Sequence, residues 1–213
     1  MAAGWRIAAV GIAFAAYALL SHWLMVNAAD RPWAVAVLFG PLVLAVAGTG
    51  FQRRQPGLLA ACGAGVALLA LVVARGGVDD VNRMYVLQYA GIHFALTWIF
   101  ASTLRPGGQP LISALAESLH HRFTPEMRDY TRWLTRLWAL YFVVTVAISF
   151  AVYAAAPWSW WSFYANILTP LGTTLLFVGE HVQRYRRHPD FERITLAAAI
   201  AAYRRPAGSR AQT

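Results

Sequence analysis

Six apolar runs of 18 to 21 residues, at 7–26, 33–51, 57–74, 84–104, 137–156 and 160–179, decide what this chain can fold into, because none of them holds an Arg, Asp or Glu. A helix of that length covers the hydrocarbon core of a bilayer, about 30 Å thick, and runs this long and free of charge read as crossing it. The expected fold class is all-α, a polytopic membrane bundle of six transmembrane helices.

Charge sets the orientation. Only 13% of the residues are charged while 59% are hydrophobic, and ordinary soluble domains carry about 25% charged residues. All eighteen basic residues are arginine, and cutting the chain at its apolar runs leaves fifteen on one set of alternating loops. The other set keeps three, Arg31, Arg75 and Arg83. Basic residues collect on the cytoplasmic side of a membrane protein, so both termini are expected inside, in a multi-pass protein of the bacterial inner membrane. The net charge of +9 is explained by these flanking arginines, so membrane lipids are the expected partner and nucleic acid is not. A single cysteine, Cys62, lies within the third run. It offers neither a disulfide nor a thiolate metal site. A cleaved signal is the competing reading of the first run, since Val26-Asn27-Ala28 loosely resembles a cleavage site. That run exceeds the apolar region of about 7 to 15 residues found in signals, which favours an anchor.

Residues 1–183 are expected to form one six-helix membrane domain with a cytoplasmic loop at 105–136. Residues 184–213 then make a basic cytoplasmic tail with a short amphipathic helix near 191–203. Trp23, Trp33, Tyr85, Tyr89, Trp158, Trp160 and Trp161 fall at the predicted outer edges, where amphipathic rings favour the headgroup layer. Gly57, Ala61 and Gly65 recur every four residues, a small-residue ridge suited to close helix approach. No internal repeat is evident, so the inverted-repeat plan of many transporters finds no support.

Between the fourth and fifth runs the loop opens with the breaker-rich Arg105-Pro106-Gly107-Gly108-Gln109-Pro110, which predicts a turn. An amphipathic helix of about four turns is expected next, resting Leu111, Leu115, Leu119 and Phe123 on the inner leaflet with Ser113, Glu117, His120 and His121 opposite. Thr124 is placed to cap a following helix that has Pro125 at its first position. With no breaker before Pro157, that helix should run on through the fifth span, so that its cytoplasmic stalk carries Arg128, Tyr130, Arg132 and Arg136.

Polar residues within the runs are functional candidates by default, because hydrocarbon penalises them. His22, His93, Ser149 and Asn166 come to similar depth, and Asn166, Thr173 and Glu180 share a face at heptad spacing. Pro170 removes the partner of the Asn166 carbonyl and predicts a kink there. Glu180 and Arg184 stand one turn apart, close to Thr103, Arg132 and Thr135 in the expected topology, and are spaced to pair. The plainer reading of the Thr and Ser stripes is that they join helices.

Motifs of established chemistry fall short. His22 with His93 is one distant pair, thin support for a haem. Glu117-x-x-His120 is half of a di-iron motif without its second copy. His121 and Glu126 imitate the H-x4-D of glycerolipid-type acyltransferases, but Pro125 interrupts the spacing and the acid is Glu. Ser113, Glu117 and His120 lack the elbow and oxyanion donors of a hydrolase triad. No metal site and no cofactor are therefore expected.

Taken in order, Thr103-Leu104, Gly107-Gly108-Gln109-Pro110-Leu111, Tyr130-Thr131-Arg132-x-x-Thr135-x-x-Trp138, Trp161-Ser162-x-x-x-Asn166 and Glu180-x-x-x-Arg184 resemble a family of small bacterial integral membrane proteins. Its members are encoded among aryl-polyene (xanthomonadin-like) pigment genes and are sometimes labelled ketosynthase-like. The resemblance implies a place beside a type II fatty-acid-like synthase and carries over no catalytic residue. Thiolase-type ketosynthase chemistry needs a reactive cysteine with histidine partners in a soluble fold, which Cys62 within an apolar run does not supply.

Three functions follow. The first is an accessory or scaffold protein of a fatty-acid- or polyene-type pathway, with Arg128, Arg132, Arg136, Arg184, Arg186 and Arg187 docking acidic acyl-carrier protein, synthase subunits or anionic lipid. The second is a membrane enzyme of acyl or polyene transfer, with Glu180, His120, His121 and Tyr130 as candidate groups. The third is a small transporter or flippase using His93 and the Asn166–Pro170 kink. The orientation is checked by fusions: fluorescent protein at the C-terminus should glow and alkaline phosphatase placed between Arg75 and Arg83 should be active, and the opposite pattern would invert the topology.

Overall fold

The computed structural model describes residues 2–28, 31–75, 78–119 and 123–187. Every regular element among them is helical: α1 (Ala2–Asn27), α2 (Pro32–Gln52), α3 (Pro56–Ala74), α4 (Val78–Ser102), α5 (Leu111–Glu117), α6 (Pro125–Ala155), α7 (Trp158–Phe163), a π segment (Tyr164–Leu168) and α8 (Thr169–Arg187). Five of these helices, α1, α2, α3, α4 and α6, are long and apolar enough to cross a membrane. The tail helix expected near 191–203 lies outside the described residues.

The sixth apolar run is helical but not uniformly α. Its π segment closes with the Thr169 N–H on the Tyr164 carbonyl, five residues back. Pro170 explains the change: it has no N–H, and in an α-helix its ring would strike the Asn166 carbonyl. Widening the preceding turn moves that carbonyl aside, so the irregularity takes the form of a π-bulge.

The chain divides into two compact units. The first comprises Met1–Tyr89 and Ser149–Leu171. Its core joins Leu24, Met25, Val35, Leu38, Phe39, Val81, Tyr85, Val86 and Trp161. An aromatic ladder runs through it, with Phe39 on Tyr85 at 4.8 Å, Tyr85 on Trp158 at 6.5 Å and Trp158 on Trp161 at 4.8 Å. Trp158 donates to the Met25 carbonyl and Trp161 to Ser149. The aromatics expected together at the membrane surface thus separate: Trp23, Trp33 and Trp160 are exposed, whereas Tyr85 and Trp161 are core. Helical spacing is the reason, since Trp158 and Trp161 share an inward face and Trp160 points away.

Helix α2 ends in a Schellman motif. Arg54 adopts a left-handed φ of 50°, the Gln55 N–H reaches the Gly50 carbonyl and the Arg54 N–H that of Phe51, the paired bonds that close a helix C-terminus. A Cβ at Gly50 would stand 3.0 Å from a terminal methyl of Leu59, so a side chain there would have to displace that leucine slightly. On α3, Gly57 and Ala61 are exposed, and a Cβ at Gly57 or Gly65 would meet nothing within 4 Å. The small-residue ridge is therefore not used for close helix approach among the described residues. Helix α2 also contains Pro41, and the hydroxyl of Tyr17 on α1 donates to the Leu38 carbonyl at 3.0 Å, tying the two helices together.

The second unit comprises Ala90–Ile148 and Gly172–Thr213. Thr124 caps α6 by accepting from the Met127 N–H, and the helix runs unbroken for 31 residues to Ala155, as the lack of breakers predicts. Helix α5 differs from expectation. It has 7 residues, and its buried side is Ser113 and Ala116 while Leu115 is exposed. Of the polar face, Ser113 is turned inward because it meets a hydroxyl line on α6, bonding Thr131 at 2.7 Å, whereas Glu117 is exposed.

The N-terminus of α5 has no side-chain cap of its own. Its Leu111 N–H is taken by Thr103 and its Ile112 N–H by Thr135, so two other segments supply the acceptors that the first turn lacks. The loop before it turns at Gly107, with φ 77°, and passes so close to the Thr103 carbonyl that a Cβ at Gly108 would lie 3.0 Å from it. Thr135 is 0% exposed. Thr135→Val should therefore lower stability by about 1–2 kcal/mol through the unsatisfied Ile112 N–H, read as a lower unfolding midpoint in detergent and faster proteolysis between residues 105 and 124.

Candidate functional site

A polar cluster and an apolar groove adjoin on α6 and α8. Glu180 is buried, at 8% exposure, and both of its carboxylate oxygens are engaged. Arg184 grips it from the next turn of α8, Nε to Oε1 at 2.7 Å and Nη2 to Oε2 at 2.5 Å, while the Tyr130 hydroxyl on α6 donates to Oε1 at 2.7 Å. This two-point fork is the strong form of an Arg–carboxylate pair. Burial works against the Arg184 cation, but the Glu180 carboxylate outweighs it and holds the guanidinium above its ordinary pKa. The pair expected from the i, i+4 spacing is thus formed, and Tyr130 completes it.

Beside the cluster a groove of about 460 Å³ is lined along one side by Leu175, Gly179, Gln183 and Arg187. These recur every four residues and make one stripe of α8. Trp133 and Leu137 of α6 form the facing wall, and Tyr130 and Glu180 close the polar end. A Cβ at Gly179 would meet nothing within 4 Å, so that glycine leaves the groove its width. Sequence reasoning placed Glu180 and Tyr130 here but missed the groove, although its four-residue step is visible in the sequence.

The remaining candidates take varied places. Arg128, Arg136, Arg186 and Arg187 are exposed and Arg132 is half-buried. Arg184, Arg186 and Arg187 also sit in the last turn of α8, where cations complement the helix dipole. Thr103 and Thr135, expected near Glu180, are engaged at the start of α5. In the same unit Thr173 bonds Tyr141 at 2.8 Å, and His93 stands edge-on to Phe142 while its carbonyl accepts from Thr97. His120 and His121 lie outside the described residues. The triad read around Ser113 is not assembled by its two described members, because Ser113 is buried on Thr131 and Glu117 accepts from Gln109.

In the first unit, His22 and Asn166 are brought together by Ser162, a residue quoted in the motif but not among the candidates. His22 Nδ1 lies 2.9 Å from Ser162 Oγ, and Asn166 donates to the Ser162 carbonyl at 2.9 Å. Ser149 instead receives the Trp161 N–H at 3.0 Å. Ser162 is 0% exposed, so this network ties α1 to α7 and the π segment. Cys62 is half-buried, with its thiol directed to the Val43 carbonyl. Among the described residues no three His, Cys, Asp or Glu side chains group as metal donors.

The class defined by these features is an all-helical chain with five helices long and apolar enough to cross a membrane and a half-open amphipathic groove on two of its helices. Comparison with protein-family models, curated proteins and solved structures finds no match to this chain.

The geometry of the cluster predicts a graded response to substitution. Glu180→Ala strands a half-buried arginine and should lower stability by roughly 1–3 kcal/mol, with Tyr130→Phe costing about 1 kcal/mol. Because both groups meet at one oxygen, the double variant should lose less than the sum. Unfolding midpoints of the three variants in detergent measure this, and strict additivity would contradict the shared bond.

Proposed function

We propose that this chain is a six-span protein of the bacterial inner membrane, with both termini in the cytoplasm, that serves as an accessory subunit of a fatty-acid- or polyene-type pathway. Its basic cytoplasmic end would dock an acidic acyl-carrier protein or a synthase subunit. Support for the sixth span comes from α7, the π segment and α8, which continue one another from Trp158 to Arg187. Support for the orientation comes from the fifteen arginines on one set of loops. The aryl-polyene resemblance supplies the pathway.

The observation that carries the docking reading is the state of Glu180. A general base needs an oxygen free to receive a proton from substrate, and both oxygens of this carboxylate already accept from Arg184, with Tyr130 as a third donor. That arrangement suits a strut better than a reacting group. Arg128 and Arg136 on α6 and Arg186 and Arg187 on α8 are exposed, and exposed cations steer acidic partners into contact.

Charge reversal of Arg128 and Arg136 together should cut capture of acyl-carrier protein by roughly tenfold at low ionic strength and flatten its salt dependence. Pulldown from detergent against the pathway's carrier protein is the measurement. Capture unchanged by the reversal would remove the docking reading.

A further inference from the structure

The groove on α6 and α8 has a use that docking at the exposed arginines does not assign. Its walls, Trp133, Leu137, Leu175 and Leu176, are apolar, and its polar end is formed by Tyr130, Glu180, Gln183 and Arg187. At about 460 Å³ it falls within the range of roughly 300–1,000 Å³ typical of small-molecule sites. Its lining changes character along α8, from Leu175 through Gly179 to Gln183 and Arg187, so an occupant must be apolar at one end and polar at the other.

The sign of the polar end follows from the ion pair. Glu180 and Arg184 neutralise each other in a two-point fork. Tyr130 gives its proton to the same carboxylate. Among the described residues that line the groove, the remaining charge is that of Arg187, which is exposed, with Arg186 exposed beside it in the chain. A carboxylate that would repel an anion has thus been cancelled within the protein, leaving a cationic rim above an apolar trough.

We propose that this groove is a binding site for one anionic phospholipid of the inner leaflet, an acyl chain lying against Trp133, Leu137, Leu175 and Leu176 and the phosphate at Arg187 and Gln183. The assignment rests on the membrane reading above, which puts the C-terminal end of α8 at the cytoplasmic surface, where anionic headgroups and basic side chains meet. A membrane lipid is the occupant favoured because the groove is half open and Trp133 and Leu175 of its apolar walls are exposed. A chain can enter it sideways from the bilayer while the lipid's second chain stays outside.

Gly179 makes the site testable without damage to the fold. A side chain added there meets open groove and no protein atom within 4 Å, and replacing a helical glycine also favours the helix. The full-length protein would be reconstituted in bilayers of phosphatidylcholine with phosphatidylglycerol, extracted, and examined by native mass spectrometry for retained lipid. The wild type should keep one phosphatidylglycerol in preference to phosphatidylcholine. Gly179→Leu should reduce that retention at least about fivefold with an unchanged melting temperature, whereas Gly179→Ala should retain it. Arg187→Gln, on an exposed position, should lower the preference for phosphatidylglycerol by about fivefold, the factor expected for one arginine near an anionic surface.

Equal retention of both lipids by the wild type, full retention by a folded Gly179→Leu protein, or an unaltered preference in Arg187→Gln would each overturn the proposal. Retention of free fatty acid with no phosphatidylglycerol bound would overturn it too. Failure of the membrane reading shows separately, as a protein released by alkaline extraction. Failure of the docking reading shows in carrier capture, which Gly179→Leu should leave intact.

Discussion

A polar group that leaves water must find its partner inside the protein, and that one constraint accounts for most of what is distinctive in this chain. Where the backbone cannot complete its own hydrogen bonds, a hydroxyl has been set beside it. Thr103 and Thr135 accept from the uncapped first turn of α5. Ahead of Pro170 the helix itself yields, widening into a π turn. An unsatisfied buried backbone group costs about 1–3 kcal/mol, so these placements bear directly on stability.

The same logic governs the charged residues. Glu180 lies where water is largely excluded, and a carboxylate there persists because Arg184 and Tyr130 surround it with donors. The pair has a consequence beyond its own stability. By cancelling the acid, it leaves the rim of the adjoining groove to Arg187. In the fold this residue joins α6 to α8 and, through its pair with Arg184, bears on the charge beside them.

Much of the local structure was legible from the residues. The unbroken α6, its Thr124 cap, the irregular turn before Pro170 and the Glu180–Arg184 pair all follow from rules that act within a few residues. Faces and partners were less legible. The leucines between 111 and 123 predicted a helix with its apolar side on the inner leaflet, but gave no sign that Ser113 of the opposite face would be buried against Thr131 of α6. Trp161 was expected at a membrane surface and instead closes an aromatic ladder. Ser162 attracted no notice beyond its motif, although it joins His22 to Asn166. In each case the deciding neighbour is far away in the chain, and spacing rules carry no information about it.

The sequence by itself determined that the described chain is helical, that five of its six apolar runs form helices long and apolar enough to cross a bilayer, and where its arginines gather, because length, hydropathy and charge are sums over adjacent residues. Tertiary structure decided which polar groups serve as struts and which remain open, since that depends on what each side chain meets across a helix interface. Glu180 illustrates the difference: its spacing to Arg184 was plain, but the Tyr130 bond fifty residues away and the groove left beside it exist only once α6 and α8 lie side by side.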